Sequence, residues 1–368
     1  MRIPFVDLKA QYISIKQEID AALAAVIDET AFIKGHHVDA FEQKFAQVYG
    51  VKNCISVANG TDAIYIILKM LGIGIGDEVV TTAHSWISTS ETITQTGAKC
   101  VFVDVDPDYY TLDADDVSNK ITEKTRALIA VHIYGQMADT DELRKLCDRH
   151  GVHLIEDCAQ SHLSMYKNRY AGTSGIAGSF SFYPGKNLGA YGDAGAIITD
   201  DDELARKCRM YANHGALVKH EHLIEGINSR MDGLQAAILN VKLKYLTEWN
   251  KKRIQSAQKY DRLLRNIPQI KTPAVRPDSV HTFHLYVIQC ELRYELASYL
   301  AQNGIQTGIH YPTPLPFLPA YHYLRHKKGD FIHTESLYKR ILSLPMFPEI
   351  TDEQIDFIAQ RIIDFYNR

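Results

Sequence analysis

The segment FSFYPGKNLG, residues 180–189, decides the fold, because an apolar strand breaks there into a Pro-Gly turn that carries Lys186. Upstream, the apolar run 152–155 ends in Glu156 and Asp157. In an open parallel sheet, ligands bind beyond the carboxyl ends of the strands. A turn that presents a lysine amine and a strand that ends in a carboxylate therefore predict a ligand site at one edge of such a sheet.

Each of these residues also has a simpler interpretation. A lysine in a turn is usually solvated, and an Asp after a strand often caps a helix. The pair is more specific, since a neutral amine traps carbonyl compounds and a buried carboxylate keeps a ring nitrogen protonated. Chemistry with pyridoxal 5'-phosphate (PLP) requires at least a lysine that binds the carbonyl carbon and a carboxylate that pairs with the pyridinium nitrogen. Lys186 and Asp157 are the candidates for these two roles.

Apolar strand-like runs alternate with helical patterns between residues 50 and 215, which predicts a mainly parallel sheet with helices on both faces. The expected strands are 54–58, 78–82, 100–105, 128–132, 153–155, 178–182 and 196–199, and the expected helices are 63–71, 87–96 and 141–147. The last two strands need not run parallel to the others.

The pattern becomes helical from Met231, and a proline-rich stretch at 268–277 follows. The remainder mixes strand and helix, with a helix at 251–264, a strand at 283–290 and helices at 294–302 and 352–366. We therefore expect an α/β protein with a large cofactor-binding domain at 1–247, which includes the N-terminal segment, and a smaller C-terminal α+β domain at 248–368.

Composition narrows the class of protein. The 368 residues are 46% hydrophobic and 23% charged, and a formal net charge of −4 gives no reason to expect nucleic acid or a membrane as a partner. No apolar run reaches the ~20 residues of a spanning helix, and no signal peptide is visible. The six cysteines form no C-x-x-C pair, so we expect buried, reduced thiols, no metal site and a cytoplasmic location.

Two further strand ends offer groups for a phosphate and an aromatic ring. Asn59-Gly60-Thr61 joins a strand to a helix, where Gly60 allows close approach and the helix N-terminus directs free N–H groups outward. The alternative is an ordinary helix capped by Thr61 or Asp62. Trp86, which also follows a strand, can stack on a pyridine ring or simply pack in the core.

Tyr183-Pro184-Gly185-Lys186-Asn187, together with Glu156-Asp157-Cys158-Ala159-Gln160, resembles the DegT-type (DegT/DnrJ/StrS) nucleotide-sugar aminotransferases, a branch of the fold-type I PLP enzymes. The resemblance extends from Phe5-Val6-Asp7-Leu8 to Tyr311-Pro312-Thr313-Pro314-Leu315, nearly the whole chain. It implies the fold-type I aminotransferase fold, with PLP held covalently on Lys186 as a Schiff base and pyridoxamine phosphate as an intermediate. It also implies a homodimer with shared active sites.

The resemblance gives individual residues roles. Lys186 is catalytic; Gly60, Thr61 and Ser181 bind the phosphate; Trp86 stacks on the ring; Asp157 pairs with the ring nitrogen; Gln160 contacts the phenolic oxygen. Asn228 reaches the phosphate in the other subunit. Candidates for substrate binding are Tyr183, His310 and Tyr311, with His162 and His214 as weaker ones. Pro316 replaces the usual His after Pro-Leu, so a substrate contact at that position is not expected.

The function implied is amino transfer, with L-glutamate as donor, to a nucleotide-linked 3- or 4-keto-sugar, in amino-sugar biosynthesis for surface polysaccharide, lipopolysaccharide or glycosylated metabolites. One alternative is the dehydratase branch of the family, in which a His replaces the Schiff-base Lys. Another is a PLP-binding regulatory protein that has lost catalysis. A Rossmann dehydrogenase fits less well, because no G-x-G-x-x-G follows an early strand.

Overall fold

The computed structural model describes residues 1–368, and its centre is a seven-stranded sheet in the order β1-β9-β8-β5-β4-β2-β3. A three-stranded sheet, β10-β12-β13, and a small one, β11-β6-β7, complete the strands. In chain order they are β1 (Asn53–Val57), β2 (Glu78–Thr82), β3 (Lys99–Val103), β4 (Thr125–Val131), β5 (His153–Asp157), β6 (Met165–Tyr166), β7 (Arg169–Tyr170), β8 (Ala177–Ser181), β9 (Gly195–Thr199), β10 (Ile270–Lys271), β11 (Ser279–Val280), β12 (Tyr286–Cys290) and β13 (Ile341–Leu344).

Thirteen α-helices surround the sheets. They are α1 (Leu8–Ser14), α2 (Lys16–Asp28), α3 (His36–Tyr49), α4 (Gly60–Met70), α5 (Ser88–Gln95), α6 (Ala114–Lys120), α7 (Thr140–His150), α8 (Asp202–Tyr211), α9 (Gly233–Lys242), α10 (Leu246–Leu264), α11 (Arg293–Gln302), α12 (Ile332–Leu337) and α13 (Asp352–Tyr366). None of them combines the length and the apolar composition that crossing a bilayer requires.

The directions of the strands in the large sheet determine at which edge a ligand site can form. β3, β2, β4, β5 and β8 pair in parallel, whereas β9 is antiparallel to both β8 and β1. Only β9 therefore runs in the opposite direction, and the carboxyl ends of β1, β2, β5 and β8 lie at one edge. This confirms the mainly parallel sheet predicted from the sequence.

Apolar cores lie on both faces of this sheet. On one face, aliphatic residues of α4 and α8 pack on β1, β5 and β9; on the other, α3 and α9 pack on β8. Phe45 of α3 meets Phe180 and Phe182 edge to face, with ring centroids 5.1 and 5.4 Å apart. Such pairs contribute about 0.5–1.5 kcal/mol each beyond area burial. They fix the strand that leads into the Lys186 turn.

The C-terminal sheet has its own core, formed with α10, α11 and α13. The chain's first residues belong to this core: Ile3 is fully buried in it and forms a parallel bridge with Ile305. The division into domains at 1–247 and 248–368 stays a prediction; the long helix α10 crosses the expected boundary, since it begins at Leu246.

Several predicted bounds were wrong. The strand expected at 283–290 begins at Tyr286, because Phe283 has a left-handed φ of 44° and its carbonyl accepts a hydrogen bond from Arg253. The helix expected from residue 251 begins five residues earlier, where Leu246 and Trp249 are buried. Helices α1–α3, α6, α8 and α12 were not predicted. The six cysteines are buried and free, as expected, and Cys158 packs in the aromatic core around Phe180.

Candidate active site

A cavity of about 580 Å³ opens at the edge where β1, β2, β5 and β8 end. It brings together the predicted site residues from both halves of the chain. Those that line it are Gly60, Thr61, Trp86, Asp157, Gln160, Ser181, Tyr183, Lys186, His310 and Tyr311. The clustering expected from strand direction is therefore present, whereas Asn228 and the two weaker candidates, His162 and His214, lie outside this cavity.

Lys186 lies in the turn after β8, where its backbone N–H donates to the carbonyl of Tyr183 over 2.8 Å. Burial lowers the pKa of the Lys186 amine to about 8, and the nearby charge of Asp157 opposes this by favouring the ammonium form. The amine is therefore neutral in a larger fraction of molecules near neutral pH than a solvated lysine amine is, which is what a nucleophile requires.

Asp157 is the last residue of β5, and both of its carboxylate oxygens have partners. Oδ2 accepts a hydrogen bond from Thr89 Oγ1 at 2.8 Å, and Oδ1 accepts one from the Ala159 N–H at 3.1 Å. No helix begins after β5 until α8, so the alternative of a helix cap is wrong. The carboxylate is held in one orientation on the cavity wall.

Its neighbour Glu156 points away from the cavity and fixes the loop behind β5. The two carboxylate oxygens accept backbone N–H groups from Gly172, Ser174 and Gly175 at 2.6–2.9 Å. His132 Nε2 lies 2.7 Å from the same carboxylate, and its Nδ1 accepts the Ala138 N–H, so Nε2–H is the donor. These bonds account for the buried His132–Glu156 pair without a metal ion.

The phosphate-binding candidate is the start of α4. Helix α4 begins at Gly60, and the side chain of Asn59 caps it by accepting the Asp62 N–H at 2.8 Å. The suggested caps, Thr61 and Asp62, were therefore wrong. A Cβ on Gly60 would lie 2.6 Å from the Cβ of Ser181, so the helix N-terminus and the end of β8 meet here. Free N–H groups beside two hydroxyl residues suit a phosphate.

Trp86, Gln160 and Tyr311 lie next to one another in the cavity wall. Trp86 is 57% exposed, so the core-packing alternative is wrong, and its ring centroid lies 5.6 Å from that of Tyr311. Gln160 is held at both ends: Oε1 accepts the Tyr134 N–H at 2.6 Å, and Nε2 donates to the Tyr311 hydroxyl at 3.0 Å. An aromatic face with a fixed amide beside it can hold a flat ring.

More of the lining comes from the C-terminal half and from the first residues of the chain. His310 Nδ1 lies 2.8 Å from Ser343 Oγ, and the ring of Phe5 stacks on His310 at 5.5 Å. Burial, with the charge of Lys186, lowers the pKa of His310 to about 4, so its imidazole is neutral. Phe5, Val6, Asp193 and His284 also line the cavity, and sequence analysis did not select them as site residues.

The remaining candidates lie outside the cavity. Asn228 is exposed, and its Oδ1 accepts a hydrogen bond from Arg230 Nε at 3.0 Å. His162 is fully buried between Phe180 and Phe182, and His214 is exposed on a loop, so neither contacts a ligand in this cavity. Pro316 is buried.

The cavity fits PLP on structural grounds. Three of the lining residues have an amine or a carboxyl group. Lys186 can bind a carbonyl carbon, Asp157 can pair with a ring nitrogen, and Asp193 lies at the exposed rim of the cavity. Close contact between Gly60 and Ser181 forms a cradle that any larger residue at position 60 would fill. The cradle would hold the phosphate, Asp157 the ring nitrogen and Lys186 the aldehyde carbon.

A reactive lysine at the carboxyl edge of such a sheet, facing a fixed carboxylate, places the chain among the α/β aminotransferases. The model of the DegT/DnrJ/EryC1/StrS aminotransferase family matches residues 13–363, and the chain belongs to that family. The family predicted from the motifs and the fold predicted from the strand pattern are both confirmed.

Three similar proteins cover essentially the whole chain. A dTDP-3-amino-3,4,6-trideoxy-alpha-D-glucose transaminase of Streptomyces venezuelae is 42% identical over 99% of this chain and 95% of its own length. A pleiotropic regulatory protein of Geobacillus stearothermophilus is 43% identical over 100% and 99% of the two chains. The crystal structure of S. venezuelae DesV in complex with a ketimine intermediate superposes with a TM-score of 0.98, at 41% identity over 100% and 99% of the two chains.

Proposed function

We propose that this aminotransferase uses PLP bound covalently to Lys186 to move an amino group from L-glutamate to a nucleotide-linked keto-sugar. The ketone is at C3 or C4, and the product enters amino-sugar biosynthesis. The observation that carries the proposal is one cavity that holds Lys186, Asp157 and the Gly60–Ser181 cradle. The similarity to a dTDP-sugar transaminase supports the substrate class.

Bound PLP supplies an aldehyde and an electron-withdrawing ring that stabilises negative charge on the carbon next to the amine. Asp157 holds the proton on the ring nitrogen, since a buried carboxylate favours the cationic form. The N-terminus of α4, with Thr61 and Ser181, binds the phosphate. Lys186 would hold the cofactor at its carbonyl carbon, and a free Nζ would move a proton at the substrate carbon next to the amine.

A homodimer completes the proposed site. The lining of the cavity contains no arginine, yet the two substrates carry carboxylates and phosphates. The loop that bears Asn228 also exposes apolar side chains, namely Leu217, Val218, Leu223 and Ile224 at 38–67% exposure. Covering them in an interface would bring Asn228, and the adjacent Arg230, toward the phosphate site of the other subunit.

The direct test is to incubate the purified protein with L-glutamate and a panel of nucleotide keto-sugars. We expect 2-oxoglutarate and an amino-sugar whose mass reports replacement of the ketone oxygen by an amine. The Lys186→Ala variant is the matched control and should form neither. Loss of a sugar hydroxyl without 2-oxoglutarate would indicate the dehydratase alternative, and PLP binding without any product would indicate the regulatory one.

Two further assignments belong to this proposal. We assign residues 1–247 to the large domain and 248–368 to the small one, with the cavity between them. We also place the enzyme in the cytoplasm, where six buried free thiols remain reduced and nucleotide sugars are made.

A further inference from the structure

The buried amide of Asn187, the residue after Lys186, connects Asn250 to His284, which lines the same cavity as Lys186. Asn187 is 1% exposed, and its Nδ2 donates to Asn250 Oδ1 at 2.9 Å and to the carbonyl oxygen of Thr282 at 3.2 Å. Asn250 Nδ2 in turn donates to the carbonyl oxygen of His162 at 2.9 Å. Two backbone carbonyls, which can only accept, therefore fix the orientation of both amides.

This orientation decides the tautomer of His284. Because the nitrogen of Asn187 faces Thr282, its Oδ1 faces His284 Nδ1, 3.2 Å away. An amide oxygen can only accept, so Nδ1 of His284 carries the proton and Nε2 carries a lone pair. Nε2 has no partner within the chain, and it is not sealed in the interior as both nitrogens of His162 are.

His284 stays neutral and lines the same cavity as Lys186. Burial lowers the pKa of His284 well below its usual value, and the charges of Lys186 and Arg253 act in the same direction. Both residues line the cavity, and the side chain that holds His284 belongs to the direct neighbour of Lys186. The other ionisable groups whose charges interact with Lys186 are Asp157, His162 and His310.

We propose that His284 is a positioning residue for Lys186: when a carbonyl compound enters the cavity, the unpartnered Nε2 of His284 accepts an N–H of the Lys186 amine, which turns the nitrogen lone pair toward the carbonyl carbon. Capture then forms a C=N bond to Nζ, and the carbonyl oxygen leaves as water. Asn187 and Asn250 act through His284, since they keep the acceptor nitrogen on the cavity side. The inference rests on the proposed role of Lys186.

The tautomer can be measured without any reaction. Nitrogen-15 NMR of the full-length enzyme labelled in its histidine rings should show, for His284, a protonated Nδ1 and an unprotonated Nε2. The signal is assigned by its loss in the His284→Leu variant, or in His284→Gln should the Leu variant not fold. A protonated Nε2 would remove the acceptor and overturn the proposal.

The second measurement follows capture of PLP by the cofactor-free protein, with borohydride trapping at intervals between pH 6 and 10. In His284→Leu the plateau rate at high pH should fall about tenfold, or roughly 1.4 kcal/mol, because the amine is no longer oriented. The pH midpoint should also fall, since the ammonium form loses an acceptor. His284→Gln, which keeps an acceptor oxygen, should recover much of the rate.

The matched control is His153→Leu, on the exposed start of β5, which should leave both quantities unchanged. A His284→Leu variant that folds and captures PLP with the wild-type plateau and midpoint would contradict the proposal while leaving the proposed function intact. Failure of the wild-type Lys186 to capture PLP at all would instead remove the proposed function.

Discussion

Gly60 and Ser181 meet where two different strands end: a Cβ on Gly60 would lie only 2.6 Å from the Cβ of Ser181. The residues are 121 positions apart, and the contact joins the first helix after β1 to the strand that leads into Lys186. This approach fixes the distance between the N–H groups of α4 and the serine hydroxyl. The cradle therefore has little tolerance for added volume.

The Gly60→Ala variant should consequently bind PLP more weakly, because its methyl group must push α4 and β8 apart. We expect the dissociation constant to rise at least about tenfold, the equivalent of roughly 1.4 kcal/mol. Gly185→Ala is the matched control, since it lines the same cavity and its Cβ would meet nothing closer than 3.8 Å. Absorbance titration compares the two; equal affinities would show that the cradle does not bind the phosphate.

Borohydride reduction should attach PLP to Lys186 alone. A second lysine, the fully buried Lys242, also has the pKa of its amine lowered to about 8 by burial, but it lies outside the cavity and donates to the Gly189 carbonyl. If a lowered pKa of the amine were sufficient for labelling, both lysines would be labelled. If PLP must first bind in the cavity, only Lys186 will be labelled. Peptide mass mapping distinguishes these outcomes, and a label on Lys242 would argue against the site.

Replacing Asp157 with Asn removes the negative charge of the side chain but nearly keeps its shape, so the variant distinguishes a catalytic role from a structural one. Asn keeps an oxygen that can accept from Thr89 or Ala159, so the melting temperature should change little. Turnover should fall roughly 10- to 100-fold, because a charged hydrogen bond worth about 1.5–3 kcal/mol is replaced by a neutral one. A variant that retains activity but melts much earlier would show that Asp157 has a structural role.

Lys186 should make the cofactor-free protein less stable at low pH than at high pH. Its folded pKa of about 8 lies below the ordinary 10.5, so the unfolded chain binds more protons between these values and stability rises with pH there. Lys186→Met removes this cost. Urea unfolding should find the variant more stable than wild type below pH 8, with the difference shrinking toward pH 10; a constant difference would contradict the shift.

Subunit complementation tests the shared site. A Lys186→Ala chain mixed with an Asn228→Ala chain forms heterodimers in which one site carries both defects and the other carries neither. If Asn228 serves the partner, exchange should restore up to about half of the wild-type activity per heterodimer. Mass spectrometry confirms the exchange. Heterodimers without activity would mean that Asn228 acts within its own chain or not at the site.

Sequence reasoning located the part of the site that depends on strand direction. Asp157 and Lys186 each follow an apolar strand, and parallel strands bring such ends together regardless of their distance in the chain. It missed His284 and Phe5, which reach the cavity only through packing between the C-terminal core and the first residues. The Asn250–Asn187–His284 chain left no periodic signal, since its bonds join residues 63 and 97 positions apart.

The first residues of the chain are part of the cavity wall. Ile3 is anchored beside Ile305, and two residues later Phe5 stacks on His310 while Val6 faces the same cavity. A purification tag fused ahead of Met1, or a short deletion there, would therefore disturb substrate binding with no change in Lys186 or Asp157. The exposed Arg368 stacks on Tyr299 and does not line the cavity, so a fusion partner attached there should leave catalysis untouched.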